Sequence, residues 1–246
     1  MIPELSVVMP AFNEEAVLPL SLAEAVRALG EVCETWELLV VDDGSTDRTP
    51  RILSDIAASE PHLRVITQPR NLGYSAALIR GFSACRYETL FYTDADAQFD
   101  LREIALAYPL LAEAEMVAGW RRARQDPWPR LFASSVYNLL QRFVLGARAR
   151  DVDCAFKLFR RSFFEQVELS SHGFLIDAEM YARADRAGLR VLQLPVTHRE
   201  RAAGKSTVRP QTVLKTLVQL EQLRRALKAS DRRASKRTVP SAESPL

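Results

Sequence analysis

Cysteine and histidine are scarce in this 246-residue chain, with three of each. Cys33, Cys85 and Cys154 lie far apart without C-x-x-C spacing, and His62, His172 and His198 are equally scattered. That spacing excludes a zinc-type ligand cluster and predicts a reducing compartment. No window holds about 18 uninterrupted apolar residues, so no membrane-spanning helix is expected. The opening run MIPELSVVMP has no basic leader followed by an apolar stretch, so no secretory signal is predicted. Neither sign of charge is in marked excess. A net charge of +2 gives no global attraction to nucleic acid, and none is expected as a partner. The expectation from these absences is a soluble, cytoplasmic protein.

What is present is ordinary for a globular enzyme: 48% apolar and 26% charged residues, in a chain long enough for one large α/β domain. Short β-rich runs at 5–9, 36–41, 63–67 and 89–93 alternate with helical patterns at 14–29, 46–59, 73–85 and 101–114. Thr46 or Asp47 is the expected N-cap of the second helix. Alternation of this kind implies right-handed βαβ units and a largely parallel sheet. Further strands are expected at 116–118, 156–159 and 190–194, and further helices at 129–145, at 177–187 with a stop at Gly188, and at 213–227. Residues 1–229 are expected to form a single domain, and the polar, basic segment 230–246 a disordered tail.

The polar clusters Asn13-Glu14-Glu15, Asp42-Asp43 and Asp94-Ala95-Asp96 each follow an expected strand. In open α/β sheets ligands bind beyond the carboxyl ends of the strands, so these clusters are expected to share one rim. Two carboxylates one residue apart at a strand end can face a common point, and Mg²⁺ binds through one or two carboxylates plus substrate phosphates. Taken singly, each cluster also reads as a solvated turn or a helix cap. Asn71-Leu72-Gly73 adds a turn able to approach a ligand closely.

In order along the chain, Val7-Val8-Met9-Pro10-Ala11-Phe12-Asn13-Glu14-Glu15, Val41-Asp42-Asp43-Gly44-Ser45-Thr46-Asp47, Asn71-Leu72-Gly73 with Arg80-Gly81, and Asp94-Ala95-Asp96-Ala97-Gln98 resemble the family 2 glycosyltransferases. The resemblance covers roughly residues 5–200. It implies the GT-A fold, a mixed, mainly parallel sheet flanked by helices, a nucleotide-diphosphate-sugar donor, and Mg²⁺ or Mn²⁺. It implies a nucleotide pocket from Pro10, Ala11, Asn13, Glu14, Asp42, Asn71 and Asp94, with Asp42 at the base. It implies Asp96 and Gln98, with Asp94 close by, as metal ligands, and inversion at the sugar. The later blocks Asp151-Val152-Asp153-Cys154-Ala155-Phe156-Lys157, Gly173-Phe174-Leu175-Ile176-Asp177-Ala178-Glu179 and His198–Ser206 look like polyprenyl-phosphate glycosyltransferases, the dolichyl-phosphate mannosyltransferases among them. Ala155 stands where glycine is usual in that group.

Acceptor chemistry agrees with those blocks. A phosphate monoester has a second pKa of about 6, whereas a hydroxyl is closer to water at roughly 15.7. A hydroxyl acceptor therefore demands a general base, and a phosphate mainly demands cations. By resemblance, Arg121, Arg130, Ser134 and Arg199 are the expected acceptor-phosphate residues, and guanidinium groups suit phosphate. Asp151 is expected to orient the acceptor or act as base, which with Asp96 completes the catalytic set.

The 129–145 segment could lie in a membrane interface or serve as a core helix. Between Arg224 and Arg237 stand seven basic residues against one acid, a composition that attracts anionic lipid. Peripheral contact at the cytoplasmic membrane face, or a membrane partner protein, stays open. So do two other functions: transfer to a saccharide hydroxyl, with Asp151, Asp153 or Asp177 as base, and a non-catalytic nucleotide-sugar-binding subunit. A dinucleotide oxidoreductase fits poorly, because no GxGxxG follows the first strand.

Overall fold

A computed structural model describes residues 1–122, 149–171, 173–200 and 218–229. The expected segment 129–145, Arg130, Ser134 and the tail 230–246 lie outside the described residues. Seven strands, β1 (Ile2–Ala11), β2 (Cys33–Asp42), β3 (Leu63–Thr67), β4 (Thr89–Tyr92), β5 (Met116–Arg122), β6 (Lys157–Arg160) and β7 (Val191–Thr197), form one sheet. Its order is β3-β2-β1-β4-β6-β5-β7. Only β6 runs against its neighbours β4 and β5; the other pairings are parallel. The sheet is mainly parallel, as the alternating pattern predicts, and mixed, as the family resemblance implies.

Continuous apolar runs make the central strands, because both sheet faces are covered. Val7, Val8, Leu38, Leu39 and Val40 are fully buried. Helix α1 (Leu18–Val32) turns Leu18, Leu22, Ala25 and Leu29 inward at helical spacing. Helix α3 (Tyr74–Ala84) packs close to the sheet through Gly81, where a Cβ would press into the Val8 side chain. Phe82 of α3 stacks on Phe164 and meets Phe159 edge-on, and Phe163 packs against both Phe159 and Phe164.

The expected helix at 101–114 is instead three short pieces: 3₁₀ turns at Leu101–Glu103 and Tyr108–Ala112 around a single helical turn, Ile104–Ala107. Pro109 explains the break, since it lacks the N–H that would continue the helix. Helix α2 (Thr49–Ala57) starts later than expected, with Arg48 at the N-cap position; Asp47 still accepts the Thr49 N–H at 2.9 Å. A helix at Arg161–Gln166 was not anticipated. Gly188 closes the Ile176–Ala187 helix with φ of 69°, the left-handed stop its position predicts.

The antiparallel β6 matters for the site. Ala11 pairs with Asp42, Tyr92 with Lys157, and Ala118 with Lys157. The parallel strands therefore end, and β6 begins, along one edge. The loops after β1, β2, β3, β4 and β7 and the Asp151–Phe156 segment before β6 share it.

Candidate functional site

The first two motif loops are stitched together. Asn13, at φ of 56°, is of the residue type that tolerates the left-handed region. Its Oδ1 accepts the backbone N–H groups of Thr46 at 2.8 Å and Asp47 at 3.3 Å, and its own N–H donates to Ser45 Oγ at 2.9 Å. Glu14 N donates to Thr49 Oγ1 and Glu15 N to Asp47 Oδ2. Pro10 and Ala11 lie at the end of β1 beneath this junction. Asn13 and Glu14 thus brace the loop that carries Asp42.

The adjacent aspartates divide their work. Asp43 accepts from Gln68 Nε2, Leu72 N and Gly73 N, each at 2.8 Å, and so pins the exposed Asn71 turn beside β2. Gly44, at φ of 69°, has no room for a Cβ, which would collide with the Arg70 and Asn71 backbone. Asp42 is fully buried. Its Oδ1 accepts Ser45 N at 3.0 Å, while its Oδ2 has no partner. Leaving a buried carboxylate oxygen unpaired costs free energy, and a ligand donor would repay it.

Asp94 and Asp96 follow β4. Tyr74 Oη donates to Asp94 Oδ1 at 2.9 Å. Burial, and next the Asp96 carboxylate, push the Asp94 carboxyl above the usual carboxylate range. Two acids that repel each other in this way form a place that a cation relieves. Ala97 sits at φ of 57°, a conformation alanine rarely adopts. It turns the chain between Asp96 and Gln98. Gln98 Nε2 donates to Arg199 O at 2.9 Å, and Arg199 N returns a bond to Gln98 O at 2.8 Å. Among the described residues no group of three or more His, Cys, Asp or Glu could hold a metal ion. The two carboxylates and the Gln98 amide carry hard oxygens, a donor type that suits Mg²⁺ or Mn²⁺.

The second half supplies a buried charged cluster. Arg121 Nε and Nη2 meet the Asp151 oxygens at 2.6 and 2.7 Å, and Arg121 N donates there as well. Lys157, fully buried, donates to Cys154 O and Asp177 Oδ1 at 2.6 Å, and lies 3.0 Å from Val152 O and Tyr92 Oη. Tyr92 Oη also donates to Asp177. Asp153 lacks such support: its Oδ1 is buried without a partner, and burial, then Asp177, push its carboxyl up to about 7. Glu179 makes the opposite case, accepting Ser170 N, Ser171 N and Arg183 Nε. Arg199 stands at the same edge with its guanidinium paired to Glu24 at 3.2 Å and Asp100 at 2.7 Å.

Residues 6–168 match the Glycosyl transferase family 2 description. The chain belongs to glycosyl transferase family 2. It is 31% identical over 213 residues to the polyprenol monophosphomannose synthase of Mycolicibacterium smegmatis, covering 81% of this chain and 79% of that protein. It is 34% identical over 210 residues to the undecaprenyl-phosphate 4-deoxy-4-formamido-L-arabinose transferase of Aeromonas hydrophila, covering 82% of this chain and 61% of that one. To glycosyltransferase AglD of Haloferax volcanii it is 34% identical over 203 residues, 78% of this chain. The chain spans only 32% of AglD's length. A glucosyl-3-phosphoglycerate synthase from Mycobacterium tuberculosis, solved with Mn²⁺ and UDP, superposes with a TM-score of 0.63 at 21% identity, covering 99% of this chain and 83% of that one. At that identity the likeness is one of fold, and the fold is GT-A.

Within this family 2 domain the geometry brings Asp42, Asp94, Asp96, Gln98, Asp151, Arg121 and Arg199 to one sheet edge. Arg121 and Arg199, expected at a phosphate, are both bonded to carboxylates. Asp43 and Tyr74 were missed by sequence reasoning. The doubled aspartate at 42–43 is a signal for Asp43, since one position can serve the fold and the other the ligand. Nothing in the sequence marks Tyr74. Among the described residues no helix is long and apolar enough to cross a membrane.

Proposed function

We propose that the chain transfers a sugar from a nucleotide-diphosphate donor to a polyprenyl phosphate in a single displacement with inversion. One observation carries the reading: Asp42, with a buried and unpaired carboxylate oxygen, lies on the same sheet edge as the Asp94, Asp96 and Gln98 donors. One end offers an acceptor to a base or ribose, and the other offers hard oxygens to a cation that takes phosphate. Asp94, Asp96 and Gln98 would hold Mg²⁺ or Mn²⁺, whose charge would neutralise the diphosphate leaving group. In the transfer, an acceptor phosphate oxygen bonds to the sugar's anomeric carbon as that carbon's bond to the diphosphate breaks. The nucleoside diphosphate leaves with the electron pair, and no covalent enzyme nucleophile is required.

The state of Asp151 supports a phosphate acceptor. Its carboxylate already accepts three bonds from Arg121, an arrangement poor for drawing a proton from a hydroxyl. A guanidinium carries more N–H donors than these bonds use, so Arg121 can present others to an anion. Arg130, Ser134 and Arg199 are proposed to complete the phosphate grip. The names of the relatives from Mycolicibacterium smegmatis and Aeromonas hydrophila support a polyprenyl or undecaprenyl carrier. A lipid carrier places the enzyme at a membrane face, by direct peripheral contact or through a membrane partner.

The test is an acceptor-resolved transfer assay with Mg²⁺ or Mn²⁺, a panel of nucleotide-sugars, and a short polyprenyl phosphate present or omitted. Lipid-dependent release of nucleoside diphosphate with a glycosylated lipid product is expected. Transfer to a saccharide hydroxyl without transfer to the lipid would overturn the acceptor assignment. Binding of nucleotide-sugar without any transfer would favour a non-catalytic subunit.

A further inference from the structure

A chain of buried polar groups, Lys157, Asp177 and Tyr92, lies close to a separate bond from Tyr74 to Asp94. Lys157 and Asp177 form an ion pair at 2.6 Å, with Lys157 wholly buried. Lys157 Nζ lies 3.0 Å from Tyr92 Oη, and Tyr92 Oη bonds to Asp177. Tyr74, the first residue of α3, donates from its Oη to Asp94 Oδ1 at 2.9 Å. Proton counting fixes the direction of this chain. An ammonium only donates and an ionised carboxylate only accepts, whereas a phenol has a single proton to give. Lys157 must therefore donate to Tyr92. The single Tyr92 proton goes to Asp177, and the Tyr74 proton goes to Asp94.

We propose that Tyr74 is a positioning residue for the donor site. Its hydroxyl holds one Asp94 oxygen so that the other faces the cation and the donor diphosphate. The inference rests on the donor and cation reading above. Tyr74 itself is not expected to touch the reacting atoms. Its removal should appear as weaker cation-dependent nucleotide binding, whereas a purely structural tyrosine would show only in unfolding.

The experiment titrates UDP, GDP, CDP and ADP into the full chain by calorimetry, with and without Mn²⁺, alongside urea unfolding. Tyr74→Phe should weaken Mn²⁺-dependent binding of the preferred nucleoside diphosphate by about tenfold, the scale of one hydrogen bond to a charged group. Its unfolding midpoint should stay close to that of the wild type. Tyr92→Phe, which loses bonds to Lys157 and Asp177 instead, should lower the unfolding midpoint and leave Mn²⁺-dependent affinity within about twofold of the wild type. Wild-type affinity in Tyr74→Phe, or an equal loss with Mn²⁺ absent, would overturn the role. If Tyr74→Phe fails to fold, Tyr74→Met takes its place: wild-type affinity there overturns the role, and a Mn²⁺-dependent loss supports it. If the wild type binds none of the four diphosphates with Mn²⁺, the donor reading itself falls and the positioning role falls with it.

Discussion

Two sets of buried carboxylates divide this molecule. Glu37 accepts Ser6 Oγ, Arg86 N and the Arg64 guanidinium, and Glu179 accepts Ser170 N, Ser171 N and Arg183. Burial pushes both upward, but these bonds outweigh it and hold both below the usual glutamate range. Along the edge where the parallel strands end, Asp42 keeps an unpaired buried oxygen, Asp94 repels Asp96, and Asp153 has a buried oxygen without a donor. The first set closes the fold by satisfying itself. The second leaves charge and lone pairs unmet, which is how a protein prepares for a ligand that carries donors and a cation.

The largest effect expected from this contrast is Asp96→Ala. Loss of a ligand from the proposed cation site should reduce metal-dependent transfer by about a thousandfold, while the urea midpoint stays near that of the wild type. Substantial metal-stimulated activity in the variant would move the cation elsewhere. Glu179→Ala should behave in the opposite sense. It strands Arg183 and the Ser170 and Ser171 N–H groups, so a stability loss of about 3 kcal/mol is expected in urea unfolding. Cation-dependent nucleotide affinity should persist in the protein that remains folded. If Glu179→Ala instead abolished nucleotide binding in folded protein, the separation between the two sets would be wrong.

Much of the fold was legible because it is written locally. Residues 63–67 read as a strand and form β3 without a change of boundary. The motif loops fall at strand ends because apolar runs stop abruptly at Asn13, Asp42 and Asp94. What sequence reading left out is non-local. The reversal of β6 depends on its pairing with β4 and β5, and no pattern within residues 156–159 encodes a partner. The Arg121–Asp151 pair joins positions thirty residues apart, and Arg199 reaches back to Glu24. Arginines expected at a phosphate were identified by type, but the carboxylates now holding them could be found only in three dimensions. Pro109 was the exception: its local signal was present, and the helical periodicity of 101–114 masked it.

The two sets also predict opposite responses to pH. Asp153 has its folded-state pKa pushed up to about 7 from an ordinary 3.8. Between those values the folded chain holds a proton that the unfolded chain has released, so this group's contribution falls as pH rises from about 4 to about 7. For Glu179, held below 4.5, the sign is reversed: its contribution is complete above that value and is lost as pH falls through the lower folded-state pKa. Urea midpoints from pH 4 to 8 should therefore show a decline that Asp153→Asn flattens, on the order of 2 kcal/mol across the window. An unchanged slope in Asp153→Asn would place the proton on another group.

The smallest expected effect tests whether the second set accepts local strain as well as unmet charge. Ala97 occupies the left-handed region between Asp96 and Gln98, where an L-residue with a Cβ costs roughly 1–2 kcal/mol. Glycine carries no such penalty, although its freer unfolded chain offsets part of the gain. Ala97→Gly should therefore raise stability by about 0.5 kcal/mol. The same change lets the turn sample other conformations, so Asp96 and Gln98 should be less often in register for a cation. The expected signature is a higher urea midpoint together with Mn²⁺ affinity lowered about twofold to threefold in the presence of nucleoside diphosphate. A rise in both would mean that the alanine is an incidental strain. A fall in both would mean that the turn is held by packing of the Ala97 methyl group, and the strain at this position would then belong to the self-satisfied part of the fold.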